Sequence, residues 1–328
     1  MKLDYSALAQ PATNDDVETY KAAYPQRGLV IPNGIRNPLL VVSCVMLVGI
    51  FVLIFTGNVE EIMLPVQLFI VTVVVVAFIE ASKYKIKRRA KIYKFALANG
   101  AKLRVDVPEP AYTGAIFDDG HSRSITDALV LADGTEIGNY TYTTGSGKNR
   151  SEHHWGYAHI KLSRRLPHML LDAKSNNIFG KISNLPASFA SQTLSLEGDF
   201  DKHFKLYVPD NYQRDAFYVL TPDVMAAMID AGKNYDIEII DDELFIYGSV
   251  IDLSLQSSLE PLIGIIDTIG DELRDQSKNY SDERAPNRAA NIVAEPGRRL
   301  KSRLGVVQIV FYALLSAFFV YIIMSNAS

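Results

Sequence analysis

The stretch "PLLVVSCVMLVGIFVLIFT" (38–56) carries no charge over 19 residues. At about 1.5 Å per residue it crosses most of a bilayer's hydrocarbon as a helix. A second apolar run, 63–81, holds only Gln67 and Glu80 as strongly polar groups, and a third covers 304–324. Helices of soluble proteins seldom stay apolar on every side for so long. The pattern therefore predicts three transmembrane helices: a hairpin over 38–82, built from 38–56 and 63–81, and a final span at 304–324. The 37 residues before the first run are polar and mixed, the wrong layout for a cleaved signal peptide.

Between the second and third runs the pattern changes to short apolar stretches broken by Gly, Pro, Asp and Asn, which predicts a β-rich α+β domain over 101–275. Asp133-Gly134 sits between two strand-like segments and marks a hairpin. A second hairpin runs along "IGNYTYTT", turns at 145–149 and returns along "HWGYAHIKLS". "RRLPHMLLDAKSNN" reads as a further strand. In "LTPDVMAAMIDAG", Thr221 is a candidate N-cap, Pro222 the first helical residue, and Gly232 a stop. "YDIEIIDDELFIYG" reads as two strands around Asp241-Asp242, with its carboxylates at solvated strand edges. Leu255, Leu259, Leu262, Ile263, Ile266, Ile269 and Leu273 then recur at helical spacing. Residues 276–303, polar and poor in apolar periodicity, read as a linker that ends in a basic flank.

The formal net charge of −4 is uninformative, but the placement of cations is not. The loop between the first two spans has no Lys or Arg. After the second span come Lys83, Lys85, Lys87, Arg88, Arg89, Lys91 and Lys94, and before the third come Arg298, Arg299, Lys301 and Arg303. Cationic flanks stay cytoplasmic. The N-terminal segment 1–37, with Lys2, Lys21, Arg27 and Arg36, agrees, and the tail 325–328 has no cation and falls outside. Residues 83–100 read as a basic juxtamembrane helix that continues the second span and stops at Asn99-Gly100. Its cations, with those of 298–303, suit anionic lipid headgroups at about 1 kcal/mol per placed cation. Nucleic acid is not expected, since only Tyr84 and Tyr93 interleave the basic run.

The stretch "TGSGKNRSEHHWGYAHIKL" (144–162) resembles several active sites and fits none. A phosphate loop before Gly147-Lys148 requires Gly at 142 and Ser or Thr at 149, where this chain has Tyr142 and Asn149. On a strand, His153 and His159 lie about 20 Å apart, too far for one zinc. Alternation puts His153, Trp155, Tyr157 and His159 on one face, read as a binding surface, and His154, Ala158, Ile160 and Leu162 on the core face. Arg164, Arg165 and His168 are a candidate anion pocket, although a solvated strand edge is the favoured reading of these residues. The acidic run 236–243 lacks the glycine and ligand rhythm of a calcium loop. Cys44, the single cysteine, lies inside an apolar run. No catalytic, cofactor or metal residues are assigned.

Leu196-Glu197, Phe200, Phe204, Tyr207, Asp210, Ala216, Leu220-Thr221-Pro222 and Met225 resemble the signature of a bacterial membrane-protein domain-of-unknown-function family, number thirty-one thirty-seven. The likeness is strongest over 194–225. It implies a bacterial inner-membrane location and brings no activity. The resulting expectation is a membrane-anchored interaction or scaffold domain, non-catalytic, with the bilayer and a protein partner or second copy as partners. Two alternatives are an anchored hydrolase or transferase acting on an anionic substrate, and an accessory subunit of an envelope or export complex.

Overall fold

The computed structural model describes residues 2–25, 33–56, 62–177, 183, 185, 192–196 and 198–301. The expected third span, the tail and Arg303 lie outside the described residues. The chain divides into two compact units, 2–102 and from Leu103 onward.

The first unit is helical. Helix α1 (Asn14–Ala23) opens with a capping box in which Thr13 accepts from the Asp16 amide and Asp16 accepts from that of Thr13, so two orphan donors are satisfied at once. Helices α2 (Asn33–Thr56) and α3 (Met63–Ala98) contain the first two predicted spans. Both are long and apolar enough to cross a membrane. Their large apolar side chains face outward, among them Val45, Val48, Phe51, Val71, Val74 and Phe78. Helix α3 continues past its apolar half and ends at Asn99, with Gly100 in the left-handed region at φ 62°. That continuation is packed: Ile86, Ile92, Phe95 and Ala96 are buried. Tyr5 stacks on Phe95 at 5.7 Å, Tyr20 and Tyr24 meet Tyr93 at 6.2 and 5.6 Å, and Lys94 pairs with Asp16 at 3.1 Å. The N-terminal segment is therefore part of this unit's core.

The second unit is an antiparallel sheet covered by helices. Strands β1 (Lys102–Pro108), β2 (His121–Val130), β3 (Glu136–Thr144), β4 (Ser151–Ala173), β5 (Thr193–Leu194) and β6 (Phe204–Tyr207) lie in the order β1-β2-β3-β4-β6-β5, and β7 (Asp236–Gly248) pairs with β4. The Asp133-Gly134 hairpin forms as expected: Leu131 donates to the Thr135 carbonyl, and Gly134 takes φ 87°. The second hairpin pairs Thr144 with Ser151 and Glu136 with His159. Strand β4 is the spine, since its first half pairs with β3, its end with β6, and most of its length with β7.

The acidic run 236–243 departs from expectation. It is one strand, not two, kinked at Asp241, whose φ is 56°. There β4 advances from Lys161 to Leu166 while β7 advances only from Glu243 to Asp241, so Arg164 and Arg165 ride a bulge. Pro167 falls in the next register shift, where its missing donor is tolerated. Two of the carboxylates are core rather than edge. Asp236 accepts from the Ala173 amide at 2.8 Å. Glu238, fully buried, accepts from His168 Nε2 at 2.7 Å, Tyr247 Oη at 2.6 Å and the Ala115 amide at 2.8 Å. Gly114 approaches this carboxylate so closely that a Cβ would strike Glu238 Oε2 and the Tyr247 hydroxyl.

One face of the sheet carries Ile137, Ala158, Ile160, Leu244 and Ile246. It is covered by α7 (Gln256–Ile265), a π turn over 266–270, and α8 (Asp271–Ser277), with Gly270 against Ile160. These helices bury Leu259, Leu262, Ile263, Ile266, Ile269 and Leu273 of the predicted stripe, while Leu255 stays exposed. The short helices α4 (Phe200–His203), α5 (Gln213–Val219) and α6 (Pro222–Ala227) precede β7, and α6 starts at Thr221, whose hydroxyl caps the Val224 amide. The other face is aromatic and equally closed. Phe117, from the β1–β2 connection, contacts Tyr140, Tyr157 and Phe245 with ring centroids 4.6, 5.5 and 5.2 Å away.

Residues 276–301 are not a loose linker. Tyr280, Asp282, Val293 and Leu300 are buried. Asp282 accepts from Tyr212 Oη at 2.7 Å and the Ala294 amide at 2.8 Å, and Arg284 lies over the Tyr212 ring at 4.3 Å. The Leu300 amide donates to His168 Nδ1 at 3.0 Å. That assigns the His168 proton to Nε2, where it meets Glu238.

Candidate functional site

The described cation-lined cavity of the first unit is a groove of about 710 Å³, bordered by Lys21 and Glu18 of α1, Arg36 of α2, and Glu80, Lys83, Tyr84 and Lys87 of α3. Helical geometry makes the α3 wall, because positions 80, 83, 84 and 87 fall on one stripe. Arg36 stands just before the first apolar run and Lys83 just after the second. An antiparallel hairpin must bring those two flanks together at one mouth. Arg36 Nη1 reaches Glu80 Oε1 at 3.2 Å, Lys83 Nζ stands 3.6 Å from the same oxygen, and Lys21 pairs with Glu18 at 2.7 Å. Among the described residues of the lining, four cations against two carboxylates leave a surplus of two positive charges.

The lipid-facing residues expected from sequence divide accordingly. Lys83 and Lys87 line the groove, whereas Lys85 is exposed outside it and Arg88 and Lys91 are half-buried. Arg89 is the correction: it is 2% exposed, inside the packed face of α3, and does not face lipid. In the second unit Arg298 pairs with Glu295 at 3.0 Å, Arg299 with Asp241 at 2.9 Å, and Lys301 with Asp210 at 3.6 Å. Lys21 and Arg36, which count only toward orientation in the sequence, are groove members outside the expected lipid-facing set.

The aromatic face of β4 is not a surface either. Tyr157 and His159 are buried, and Trp155 is half-buried beside His154 in a shallow cleft of about 190 Å³ with Asn176 and Asn234. Alternation along a strand separates two faces without saying which is covered, and here the β1–β2 connection covers the aromatic one. Nor do Arg164, Arg165 and His168 converge. Arg164 Nη2 donates to the Ala290 carbonyl at 3.2 Å, the Arg165 amide donates to Asn291 Oδ1 at 2.8 Å, and His168 is buried on Glu238. The glycine-rich segment 145–149 is a turn, with Gly145 and Gly147 at φ 70° and 56°.

No family model, curated protein or solved structure matches this chain. The functional reading therefore rests on its own residues.

A second polar cluster lies within the sheet. Glu136 accepts from Arg104 and from the Tyr157 hydroxyl. Burial, reinforced by Glu136, pushes Tyr112 up to about 12. His159, stacked on Phe245 at 5.0 Å, has no hydrogen-bond partner on either ring nitrogen, and burial pushes it down to about 4. Although Glu243 stands 3.7 Å away, the imidazole is therefore neutral at pH 7 and the two form no ion pair there.

This sets a pH dependence. Between pH 6.5 and 4 the unfolded chain binds a proton at His159 that the folded chain refuses, so stability falls as pH falls through that window. The loss approaches about 3 kcal/mol. Glu243 acts oppositely, because burial raises its carboxyl and favours the folded state as pH falls. The measurement is thus a difference: urea denaturation of wild type and His159→Phe at several pH values should show the stability gap moving in favour of the variant below pH 6.5. Parallel curves would mean that His159 takes up its proton within the fold.

Proposed function

We propose that this protein is a membrane-anchored scaffold of the bacterial inner membrane. In this reading the α2–α3 hairpin and the run 304–324 cross the bilayer, the N-terminal segment and the α+β domain face the cytoplasm, and the mouth of the hairpin engages anionic headgroups while the domain presents a surface to a protein partner. The reading is non-catalytic. The observation that carries it is the groove of Lys21, Arg36, Lys83 and Lys87 at the polar end of two apolar helices. Cations held at that level attract acidic lipid at about 1 kcal/mol each. The pattern of cationic flanks supports the orientation.

The test is to extract the full chain with its surrounding lipid in polymer-bounded discs and analyse the lipid. Anionic species should be enriched over zwitterionic ones relative to the bulk membrane, and neutralising Lys21, Arg36, Lys83 and Lys87 together should remove the enrichment. Equal lipid profiles for the two proteins would reject the reading. A reporter fused near residue 200 should be accessible only from the cytoplasm.

A further inference from the structure

We infer that the groove takes a phosphate monoester, presented as the headgroup of a lipid of the phosphatidic acid kind. The inference rests on the anionic-lipid reading above and narrows it to a charge state.

Lys83 carries the argument. Its Nζ is buried and has no hydrogen-bond partner among the described residues, since Glu80 at 3.6 Å is too distant to accept. A buried ammonium with three N–H donors and no acceptor is costly, and such groups are normally satisfied. Here the donors border an open groove that an acceptor-rich anion can enter. Lys87, exposed on the same wall, has no ion pair among the described residues. Glu80 is shared between Arg36 and Lys83, and Glu18 is matched to Lys21.

Charge then separates the candidate headgroups. The surplus of two positive charges among the described lining residues matches a monoester, which carries about −1.5 to −2 at pH 7 and has three strong acceptor oxygens. A phosphodiester such as phosphatidylglycerol supplies a single negative charge and leaves the lining half compensated. Position selects the source: cations that flank the apolar runs of a hairpin lie at headgroup depth, where a lipid phosphate is at far higher local concentration than a soluble one.

The full chain is reconstituted in phosphatidylcholine nanodiscs doped at equal mole fraction with phosphatidic acid or phosphatidylglycerol, and the lipid retained after release is counted by native mass spectrometry. Phosphatidic acid should be retained roughly fivefold better, the effect of about one further matched charge. K87Q and K83Q should each cancel that preference, whereas K85Q, on the same basic run but outside the groove, should keep it. Lys87 is exposed, so K87Q carries the test even if K83Q fails to fold. Equal retention of the two lipids, or an unchanged preference in K87Q, overturns the monoester assignment and leaves the scaffold reading standing. Retention of neither over phosphatidylcholine overturns both. Release of bound phosphatidic acid by an equal concentration of glycerol 3-phosphate overturns the lipid source and reassigns the groove to soluble monoesters.

Discussion

Glu238→Ala should cost the second unit on the order of 3–5 kcal/mol, because it strands three buried donors at once. The carboxylate joins four pieces of chain: its own strand β7, His168 of β4, the Ala115 amide of the β1–β2 connection and, through His168, the Leu300 amide. Alanine leaves the Tyr247 hydroxyl, the His168 Nε2 proton and the Ala115 amide without an acceptor in a region with no solvent access. Glu238→Gln keeps one carbonyl oxygen but turns an N–H2 toward donors, so its loss should be intermediate. Urea unfolding of the full chain in detergent, followed through the single tryptophan, Trp155, reads both. A loss below about 1 kcal/mol for the alanine variant would mean that water replaces the carboxylate, and that the cluster is not a structural centre.

Phe117→Ala is the second large effect, expected at about 3–5 kcal/mol as for other fully buried phenylalanines. Its ring contacts Tyr112, Tyr140, Tyr157, Phe245 and Tyr247, so truncation opens a void among rings that cannot collapse without leaving their strands. Phe117→Leu keeps most of the volume and should cost far less. The loss has a place as well as a size. The connection 109–120 is the lid over the aromatic face, so the alanine variant should be cut there by a dilute protease before the rest of the domain. Unchanged proteolysis with lowered global stability would show that other residues pin the lid.

The long-range pattern was the most legible part of the fold. Uncharged runs announced α2 and the first half of α3, and short grammar located the Asp133-Gly134 turn, the Thr221-Pro222 helix start and the stripe of α7 and α8. Reading failed where polar residues do the packing. Asp236 and Glu238 look like solvated strand edges because a carboxylate's burial depends on donors supplied from 173, 115, 168 and 247, which no local window contains. Residues 276–301 show no apolar period because side-chain hydrogen bonds hold them: Tyr212 and the Ala294 amide on Asp282, and Arg164 on the Ala290 carbonyl. Helix α1 went unread in the polar segment 1–37, although Thr13 and Asp16 carry the capping-box signal that marks its start. As for the groove, its α3 wall was legible in the basic run. The parts from Lys21 and Arg36 required knowing that the hairpin folds both flanks back to one mouth.

The Leu300 amide, locked onto His168, has a mechanical corollary. Only 301–303 separate that mooring from the apolar run at 304, a reach of about 14 Å even when drawn straight. Under the proposed topology the tether between the sheet and the last span is therefore short. On that reading the tether limits how far the sheet can stray from the span, from whichever side a partner comes.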